Sequence, residues 1–393
     1  MQPESRSARD RNRALVLGDL LARPVRTRGE IVAATGISKP SVSRIVRELM
    51  VEGFVQEGAP SEPTGAGRPT RGIELSSDLG CVVGFDLGSF ISRAVCLSLS
   101  GRVLATWEGR TPLIISAAQV AGWIAGSIDE LVAQVDDASG RIGTAVVSVP
   151  TRTMGHRLLA DVDPGFEPLA GDALITALEA ECSFPLRIET DSAAALVTEL
   201  DRGAAAEFDD VVLITISQTT TAAVAIGRTP VRGRNNAAGS IRLLPFGPDQ
   251  MPVDDAVSVP GVSRALAAAG LSEDGWSEIL GDALGRRPEV AAIRERFIAG
   301  VTLIVGALAG SVDPEAVIFD GRMVPILASL LDVVRERLED VLPAVPELRV
   351  VNDSRLYSSA TGAGLIAAGE ARRALIDQLP GARSRAEPGP AAG

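Results

Sequence analysis

The sequence is poor in the side chains that most catalytic and metal sites require. Its 393 residues include one histidine, His156, three cysteines and one tyrosine, and aromatic residues make up 3% of the chain. A single histidine argues against histidine-based metal sites and catalytic triads. Cys81, Cys96 and Cys182 lack the spacing of metal ligands and each lies among apolar neighbours, so we expect buried free thiols in a reducing compartment.

Long hydrophobic runs are also missing. No 18 consecutive residues are apolar, and the charged N-terminal stretch MQPESRSARDRNR is not followed by the apolar core of a signal peptide. We therefore expect a cytoplasmic protein with no membrane partner. With 46% apolar residues, the chain is long enough for two or three hydrophobic cores, packed mainly from Ala, Val, Leu and Ile.

Basic charge is scarce outside the N-terminal region. Residues 1–75 hold 12 Lys and Arg against 9 Asp and Glu, whereas the remainder holds 26 against 41. DNA would repel the acidic remainder, so we expect any DNA contact in the N-terminal region. Arg6, Arg9, Arg11 and Arg13 precede the first predicted helix, where they are candidates either for phosphate contacts or for a disordered basic tail.

Residues 27–49 predict two short helices joined by a tight turn. Thr27 and Glu30 have the spacing of a capping box, in which hydroxyl and carboxylate each accept from an unpaired backbone N–H. Gly36 can take the left-handed conformation that ends a helix, and Ser38 is a suitable N-cap for the second helix. Two helices joined in this way are typical of a helix-turn-helix.

The second predicted helix has one apolar and one polar face. Four apolar residues recur at the i, i+3, i+4 and i+7 spacing of a buried stripe. They are Val42, Ile45, Val46 and Leu49. The opposite face carries the candidate DNA-binding residues Lys39, Pro40, Ser41, Ser43, Arg44 and Arg47. Arginine can form two hydrogen bonds with guanine and serine can bind a base edge or phosphate, although such a face can also be an ordinary solvated helix surface.

A wing is predicted after this helix. Residues 53–56 and 73–75 have the pattern of two strands, and the intervening stretch 58–72 is rich in Gly and Pro. Arg68 lies in this stretch on a slim backbone that could enter a narrow minor groove. The alternative for the stretch is a plain interdomain linker.

The remaining sequence repeats one pattern twice. A β-meander followed by alternating helices and strands starts near residue 81 and again near residue 211, which predicts two related α/β lobes around a cleft. We expect a helix-turn-helix domain over 1–75 with its wing at about 54–75, a first lobe over 80–190, a second lobe over 191–373 whose last helix packs back on the first lobe, and a disordered tail over 379–393.

The wing sequence GAGRP and this order of elements resemble the ROK family, named for repressors, open reading frames and kinases. The resemblance covers about residues 11–373. It implies an α/β chain in which a winged helix-turn-helix domain precedes a two-lobed, actin-like (ribonuclease H-like) body of the ATPase and sugar-kinase type.

The phosphate-binding motifs of the family's kinases are degraded in this sequence. The D-x-G-x-T turn corresponds to Asp86–Phe90, which keeps the acid and one glycine but not the hydroxyl at its place. The T-G-x-G-x-G loop corresponds to Ser217–Ala223, which has no glycine. Side chains there would obstruct the backbone N–H groups that hold a triphosphate, so no nucleotide or other cofactor is expected.

The sugar motifs are also altered. The resemblance places Asp191 where the family has its catalytic aspartate, and this residue is either an acceptor for a sugar hydroxyl proton or the N-cap of the helix that starts at Ser192. In the stretch similar to A-A-G-E-I-G-H, the glutamate is Ser240 and the histidine is Leu243. The family's zinc-binding cysteines are missing, so no metal is expected. Asp191, Asn235 and Ser240 are the candidate effector-binding residues.

These features predict a sequence-specific transcriptional regulator, with repression as the expected mode, and not an enzyme. It would bind a palindromic double-stranded operator as a homodimer or tetramer, and its body would serve dimerisation and the sensing of a sugar or another small metabolite. The alternatives are a ROK-type sugar kinase with an appended DNA-binding domain and a body that acts only as a dimerisation scaffold.

Overall fold

The computed structural model describes residues 3–23, 25–60, 71–76, 79–135, 141–159, 165–271, 288–351 and 357–377. The chain divides into two compact units. The first comprises Met1–Val147, Asp172–Ile188 and Ala363–Gly393, and the second comprises Ser148–Gly171 and Glu189–Gly362. The predicted limits of 1–75, 80–190 and 191–373 stay predictions, and the predicted tail over 379–393 lies outside the described residues.

The N-terminal part of the first unit is a helical layer with a small sheet. Helices α1 (Pro3–Ala22), α2 (Arg28–Thr35) and α3 (Lys39–Val51) pack on one another. Strands β1 (Val25–Arg26), β2 (Val55–Pro60) and β3 (Arg71–Leu75) form an antiparallel sheet in the order β1–β3–β2. Its fully or almost fully buried core residues are Val16, Leu17, Leu20, Leu21, Ile31, Ile37, Val42, Ile45, Val46, Leu49, Val55, Ile73 and Leu75.

Helix α1 corrects the expectation for the basic N-terminus. Arg6, Arg9, Arg11 and Arg13 do not precede the first helix but lie within α1. The helix is held by the apolar residues of its second half, which are buried in the core, because burial of one helix face contributes more stability than local propensity.

The other elements follow in chain order. The strands are β4 (Cys81–Asp86), β5 (Ile91–Ser98), β6 (Val103–Arg110), β7 (Ile142–Val149), β8 (Thr153–Met154), β9 (Arg157–Leu158), β10 (Leu186–Thr190), β11 (Val211–Ile216), β12 (Thr220–Ile226), β13 (Thr229–Val231), β14 (Pro245–Phe246), β15 (Met251–Pro252), β16 (Ala316–Asp320) and β17 (Glu347–Val350). The helices are α4 (Ala117–Val132), α5 (Ala173–Glu181), α6 (Asp191–Arg202), α7 (Asp254–Val257), α8 (Val259–Ala268), α9 (Pro288–Val312), α10 (Val324–Glu339) and α11 (Ser358–Asp377).

Two five-stranded sheets have the same strand order. The first runs β10–β7–β4–β5–β6 and the second runs β17–β16–β11–β12–β13. In each, an antiparallel meander of three strands (β4–β5–β6 or β11–β12–β13) is joined by two later strands on the side of its first strand. This repeated order confirms the prediction of two related lobes with an actin-like, ribonuclease H-like fold.

The first sheet is covered on both faces. Phe85, Trp107 and Trp123 form an aromatic cluster with ring centroids 5.7–5.9 Å apart, which packs helix α4 on one face. Helix α11 reaches the other face, where Gly364 lies so close to Leu97 that an added Cβ would be 2.8 Å from its Cδ1. Farther along α11, the Arg372 guanidinium donates to the Leu99 carbonyl at 2.6 Å.

The second sheet separates two hydrophobic cores, because alternate residues of a strand point to opposite faces. Val211 and Leu213 pack on one face with residues of α6. Val212, Ile214 and Ile216 pack on the other with residues of α7, α8, α9 and α10. Among the described residues, only α9 is long and apolar enough to cross a membrane by length and composition, and its large buried side chains belong to this second core.

The cysteines differ in their burial. Cys81 and Cys96 are fully buried on neighbouring strands, as expected. Cys182 is only partly buried, which corrects the expectation for that thiol. It follows helix α5 as its C-cap, at an end where the chain returns to the surface.

Candidate nucleic-acid interface and effector pocket

Local hydrogen bonds fix both ends of α2, including the end that leads into the turn before α3. The Thr27 backbone N–H donates to the Glu30 carboxylate at 2.6 Å, and the Glu30 N–H donates to the Thr27 hydroxyl at 3.2 Å, which completes the predicted capping box. The Thr27 hydroxyl also donates to the Glu30 carboxylate at 2.8 Å, and these two donors of Thr27, its N–H first, lower the pKa of Glu30 below its ordinary value. At the other end of α2, Gly36 has φ +68° and its N–H donates to the Val32 carbonyl at 3.0 Å.

Helix α3 starts at the predicted place but is capped differently. Ser38 occupies the N-cap position, yet its side chain makes no capping hydrogen bond. Its hydroxyl donates instead to the Ser41 hydroxyl at 3.0 Å. Pro40 lies in the first turn, where its missing N–H costs no intrahelical bond.

The four predicted stripe residues of α3 are fully buried and therefore fix the rotation of the helix. We call the opposite side, formed by Lys39, Pro40, Ser41, Ser43, Arg44 and Arg47, the outer face of α3. Lys39, Pro40, Arg44 and Arg47 are exposed there, whereas Ser41 and Ser43 are half-buried. The rigid helix thus presents three cationic side chains to solvent.

Carboxylates flank these cations. Arg44 is 3.9 Å from Glu48, one turn farther along α3, and Glu48 also pairs with Arg9 of α1 at 3.0 Å. Arg13 of α1 forms a two-pronged ion pair with Glu52, one of whose hydrogen bonds is 2.6 Å long. Within the described residues, Arg47 takes part in no recorded ion pair.

The two predicted wing strands pair antiparallel. Val55 lies opposite Leu75 and Glu57 opposite Ile73, and the ladder is interrupted by an irregularity before Pro60. The two-residue strand β1 adds a third strand that the sequence did not indicate. Arg68 and the rest of 61–70 lie outside the described residues, so the role of Arg68 stays a prediction.

The second unit contains a pocket of about 740 Å³, part of which is open solvent. The predicted effector residues Asp191 and Ser240 line it, whereas Asn235 is exposed and does not. The neighbouring Asn236 does, and its amide donates to the Thr153 hydroxyl at 2.9 Å. The polar lining residues are Thr151, Arg152, Thr190, Asp191, Ser192, Thr219, Thr220, Thr221, Arg232, Asn236, Ser240 and Arg242.

Asp191 is not the cap of helix α6. The N-cap is Thr190, whose hydroxyl accepts from the Ala193 N–H at 3.3 Å, and Asp191 is the first helical residue. The Asp191 carboxylate accepts from the Ser192 N–H at 2.6 Å. The capping alternative for Asp191 was therefore wrong by one residue, which leaves the carboxylate in the pocket wall.

The β11–β12 hairpin, which corresponds to the family's phosphate loop, already donates a backbone hydrogen bond to a carboxylate. The backbone N–H of Thr220, a residue 1% exposed, donates to Asp254 Oδ1 at 2.7 Å. Burial raises the pKa of Asp254, partly opposed by its hydrogen bonds with Thr220. A phosphate here would meet this carboxylate and the side chains of 219–223 instead of free backbone donors.

Two further contacts shape the pocket wall. Glu189, 1% exposed, accepts from the Arg232 guanidinium, with Nε 3.2 Å from Oε2, and from the Thr190 N–H at 3.0 Å. Gly239 has φ +80°, and a Cβ added there would lie 2.0 Å from the Ala222 carbonyl oxygen. Glycine is therefore required at position 239, where the backbone lies directly against strand β12.

Several pocket residues were missed from the sequence. Arg152 and Arg232 line the pocket but belong to no motif that was singled out, and Arg242 lies in the stretch similar to A-A-G-E-I-G-H without having been chosen as a candidate. Asn236 has φ +50°, and asparagine tolerates positive φ. This residue type therefore favours a turn at position 236 but does not by itself indicate a pocket. Among the described residues, no group of three or more His, Cys, Asp or Glu side chains could hold a metal ion.

Comparison with family models identifies two parts of the chain. Residues 82–251 match the model of the ROK family. Residues 13–58 match that of the IclR helix-turn-helix domain. The second match covers α2, α3 and the second half of α1, which include the outer face of α3.

Two curated relatives match over a short stretch. A putative xylose repressor of Caldicellulosiruptor sp. (strain Rt8B.4) is 30% identical over 97 residues, which is 25% of this chain and 24% of the relative. The xylose repressor of Caldicellulosiruptor bescii is 29% identical over 93 residues. The matched stretch thus spans about a quarter of the length of these relatives.

Solved structures match over most of the chain. A ROK family transcriptional regulator, described as a homologue of the E. coli MLC protein, superposes with a TM-score of 0.72 at 15% identity and covers 94% of this chain and 98% of its own. ROK hexokinase from Thermus thermophilus superposes with a TM-score of 0.64 at 21% identity and covers 75% of this chain and 99% of its own. At these identities the likeness shows the fold.

Proposed function

The chain combines a ROK family domain with an N-terminal IclR-type helix-turn-helix domain, and we propose that it is a sequence-specific DNA-binding transcriptional regulator. Helix α3 would enter the major groove with its outer face toward the bases, and the wing arginine Arg68 would reach the adjacent minor groove. We propose that the protein represses transcription and that it acts in the cytoplasm.

The observation that carries this proposal is the orientation of α3. Four fully buried apolar residues hold one side of the helix in the core, so Arg44 and Arg47 project from the other side on a rigid element. Arginine side chains on a fixed helix are suited to guanine edges in a major groove. A two-fold dimer would present two such helices to half-sites about one helical turn apart, or a multiple of it, which is why we propose a palindromic operator and a homodimer or tetramer.

The body would sense a small molecule without catalysis. The pocket lined by Asp191 and Ser240 is polar enough to bind a sugar or another polar metabolite. The relatives named xylose repressor make a link to carbohydrate metabolism the natural first hypothesis. A ligand acts on DNA binding only if its affinity differs between the DNA-binding states of the protein.

The DNA-binding proposal can be tested with the full-length chain. DNA fragments from the region upstream of its own gene, and random fragments subjected to selection, are incubated with the protein at low salt and separated by electrophoresis. We expect a shifted complex with the wild type and its loss with the Arg44→Ala, Arg47→Ala double variant. The matched control is the Arg264→Ala, Arg335→Ala double variant, which removes one exposed and one half-buried arginine from the second unit. No enriched fragment and no shift by the wild type would rule the proposal out.

The alternative is a ROK-type sugar kinase with an appended DNA-binding domain. It is favoured by the place of Asp191 in the pocket and by the fold shared with ROK hexokinase. It predicts ATP-dependent phosphorylation of a hexose or pentose that disappears in Asp191→Ala. We propose that no such activity exists. The Thr220 N–H, in the segment that corresponds to the phosphate loop, already donates to Asp254, and this segment carries side chains in place of glycines.

A further inference from the structure

We propose that Arg9 is a positioning residue for the DNA-contacting arginine Arg44 and acts through Glu48, not through a phosphate. Its position in the basic N-terminal segment suggests a phosphate contact, but the structure directs its guanidinium to a carboxylate of α3. The inference rests on the proposed DNA-binding function of the outer face.

One oxygen atom connects the three side chains. Glu48 Oε1 lies 3.0 Å from a guanidinium nitrogen of Arg9 and 3.9 Å from one of Arg44. The Glu48 side chain is 25% exposed, and those of Arg9 and Arg44 are 51% and 53% exposed. Arg9 therefore has the closer contact, and Arg44 is held more loosely by the same charge.

This arrangement has two consequences for DNA binding. While Arg9 neutralises Glu48, Arg44 can exchange its long contact for a base or a phosphate at little cost. Without Arg9, the carboxylate would attract Arg44 alone and would also repel the phosphates near α3, since like charges at short range repel. Loss of Arg9 should therefore weaken DNA binding even though Arg9 touches no DNA.

A neighbouring pair provides the internal control. Arg13 and Glu52 connect the same two helices by a two-pronged ion pair, and the Arg13 guanidinium lies 6.0 Å from the centre of the Phe54 ring. Within the described residues, Glu52 makes no recorded ion pair with the outer face. If the Arg9 contact served only to dock α1 on α3, breaking the Arg13 contact would weaken DNA binding at least as much.

The test is a double-mutant cycle on DNA affinity, measured by fluorescence anisotropy with the full-length chain and a selected DNA fragment. We expect Arg9→Ala to weaken binding about threefold to fivefold, the upper range for loss of one exposed ion pair. Glu48→Gln should bind at least as tightly as the wild type. In the Glu48→Gln background, Arg9→Ala should change affinity by less than about twofold, because its target is gone.

The control cycle uses Arg13→Ala and Glu52→Gln on the same DNA. We expect a smaller loss of affinity for Arg13→Ala than for Arg9→Ala, while hydrogen exchange shows an equal or larger loosening of α1. Hydrogen exchange of α3 amides also checks that every variant keeps the helix folded.

Three outcomes would overturn the inference. An equal loss from Arg9→Ala with and without Glu48→Gln would identify a direct phosphate contact. An equal or larger loss of DNA affinity from Arg13→Ala would show that the Arg9 contact serves only to dock α1 on α3. If the wild type bound no DNA, the proposed function and this inference would both fail, whereas the first two outcomes leave the proposed function intact.

Discussion

Replacing Gly36 by alanine should loosen the turn that sets the angle between α2 and α3. Gly36 has φ +68°, a conformation that costs an L-residue about 1–2 kcal/mol. An added Cβ would meet no atom within 4 Å, so no steric clash contributes. Alanine also lowers the entropy of the unfolded chain, which returns about 0.4–1 kcal/mol and leaves a net loss of about 1 kcal/mol.

Hydrogen exchange of the α2 and α3 amides in the full-length protein measures this loss locally. A net loss of about 1 kcal/mol corresponds to exchange that is faster by about fivefold for amides that open with the domain. Gly36→Asn should lose less, because asparagine adopts the left-handed conformation more readily.

Gly29→Ala is the matched control for this substitution. Gly29 lies in the first turn of α2 at ordinary φ, and an added Cβ would lie 3.8 Å from the Thr27 hydroxyl. It should be neutral or stabilising, since alanine is the better helix former. Unchanged exchange in Gly36→Ala, or equal losses in Gly36→Ala and Gly29→Ala, would refute the backbone argument.

Three further substitutions have defined outcomes. Ile45→Ala, in the fully buried stripe, should destabilise the N-terminal domain by about 2–5 kcal/mol, seen as exchange through all of α3. Asp254→Ala leaves the buried Thr220 N–H unpaired and should cost about 1–3 kcal/mol, measured by exchange in β12; an unchanged rate would contradict the contact. Because Glu30 has a lowered pKa in the folded state, the stability it contributes should be present above its ordinary pKa and lost as the pH falls through the folded value. Thr27→Ala should weaken this dependence, and an identical pH profile would argue against the capping box.

The helix-turn-helix was predictable because its determinants are local. The capping box, the left-handed Gly36 and the i, i+3, i+4, i+7 stripe each depend on residues within one or two helical turns of one another. The order of strands and helices in both lobes was predicted for the same reason.

Contacts distant in sequence could not be predicted in this way. The basic stretch of α1 has few apolar residues, and two of its arginines, Arg9 and Arg13, pair with Glu48 and Glu52, each 39 positions away. A two-residue strand such as β1 has no pattern of its own. The arginines of the pocket, Arg152, Arg232 and Arg242, come from separate loops and turns, and only the fold brings them together.

The N-cap of α6 was predicted one residue too late. Thr190 and Asp191 are both suitable N-caps, and only the backbone geometry distinguishes them. A shift of one residue changes the interpretation of Asp191 from a cap to a side chain of the pocket wall.

The assignment of α3 as the DNA-contacting helix is tested most directly by the affinities of wild type and Arg47→Ala for a selected DNA fragment. Arg47 is exposed on the outer face of α3 and has no recorded ion pair within the described residues, so its loss should leave the protein fold unchanged. We predict that Arg47→Ala binds more weakly by about 1–3 kcal/mol, or roughly 5-fold to 150-fold, with exchange of the α3 amides unaltered. Equal affinities of the two proteins would contradict the assignment of α3 as the DNA-contacting helix.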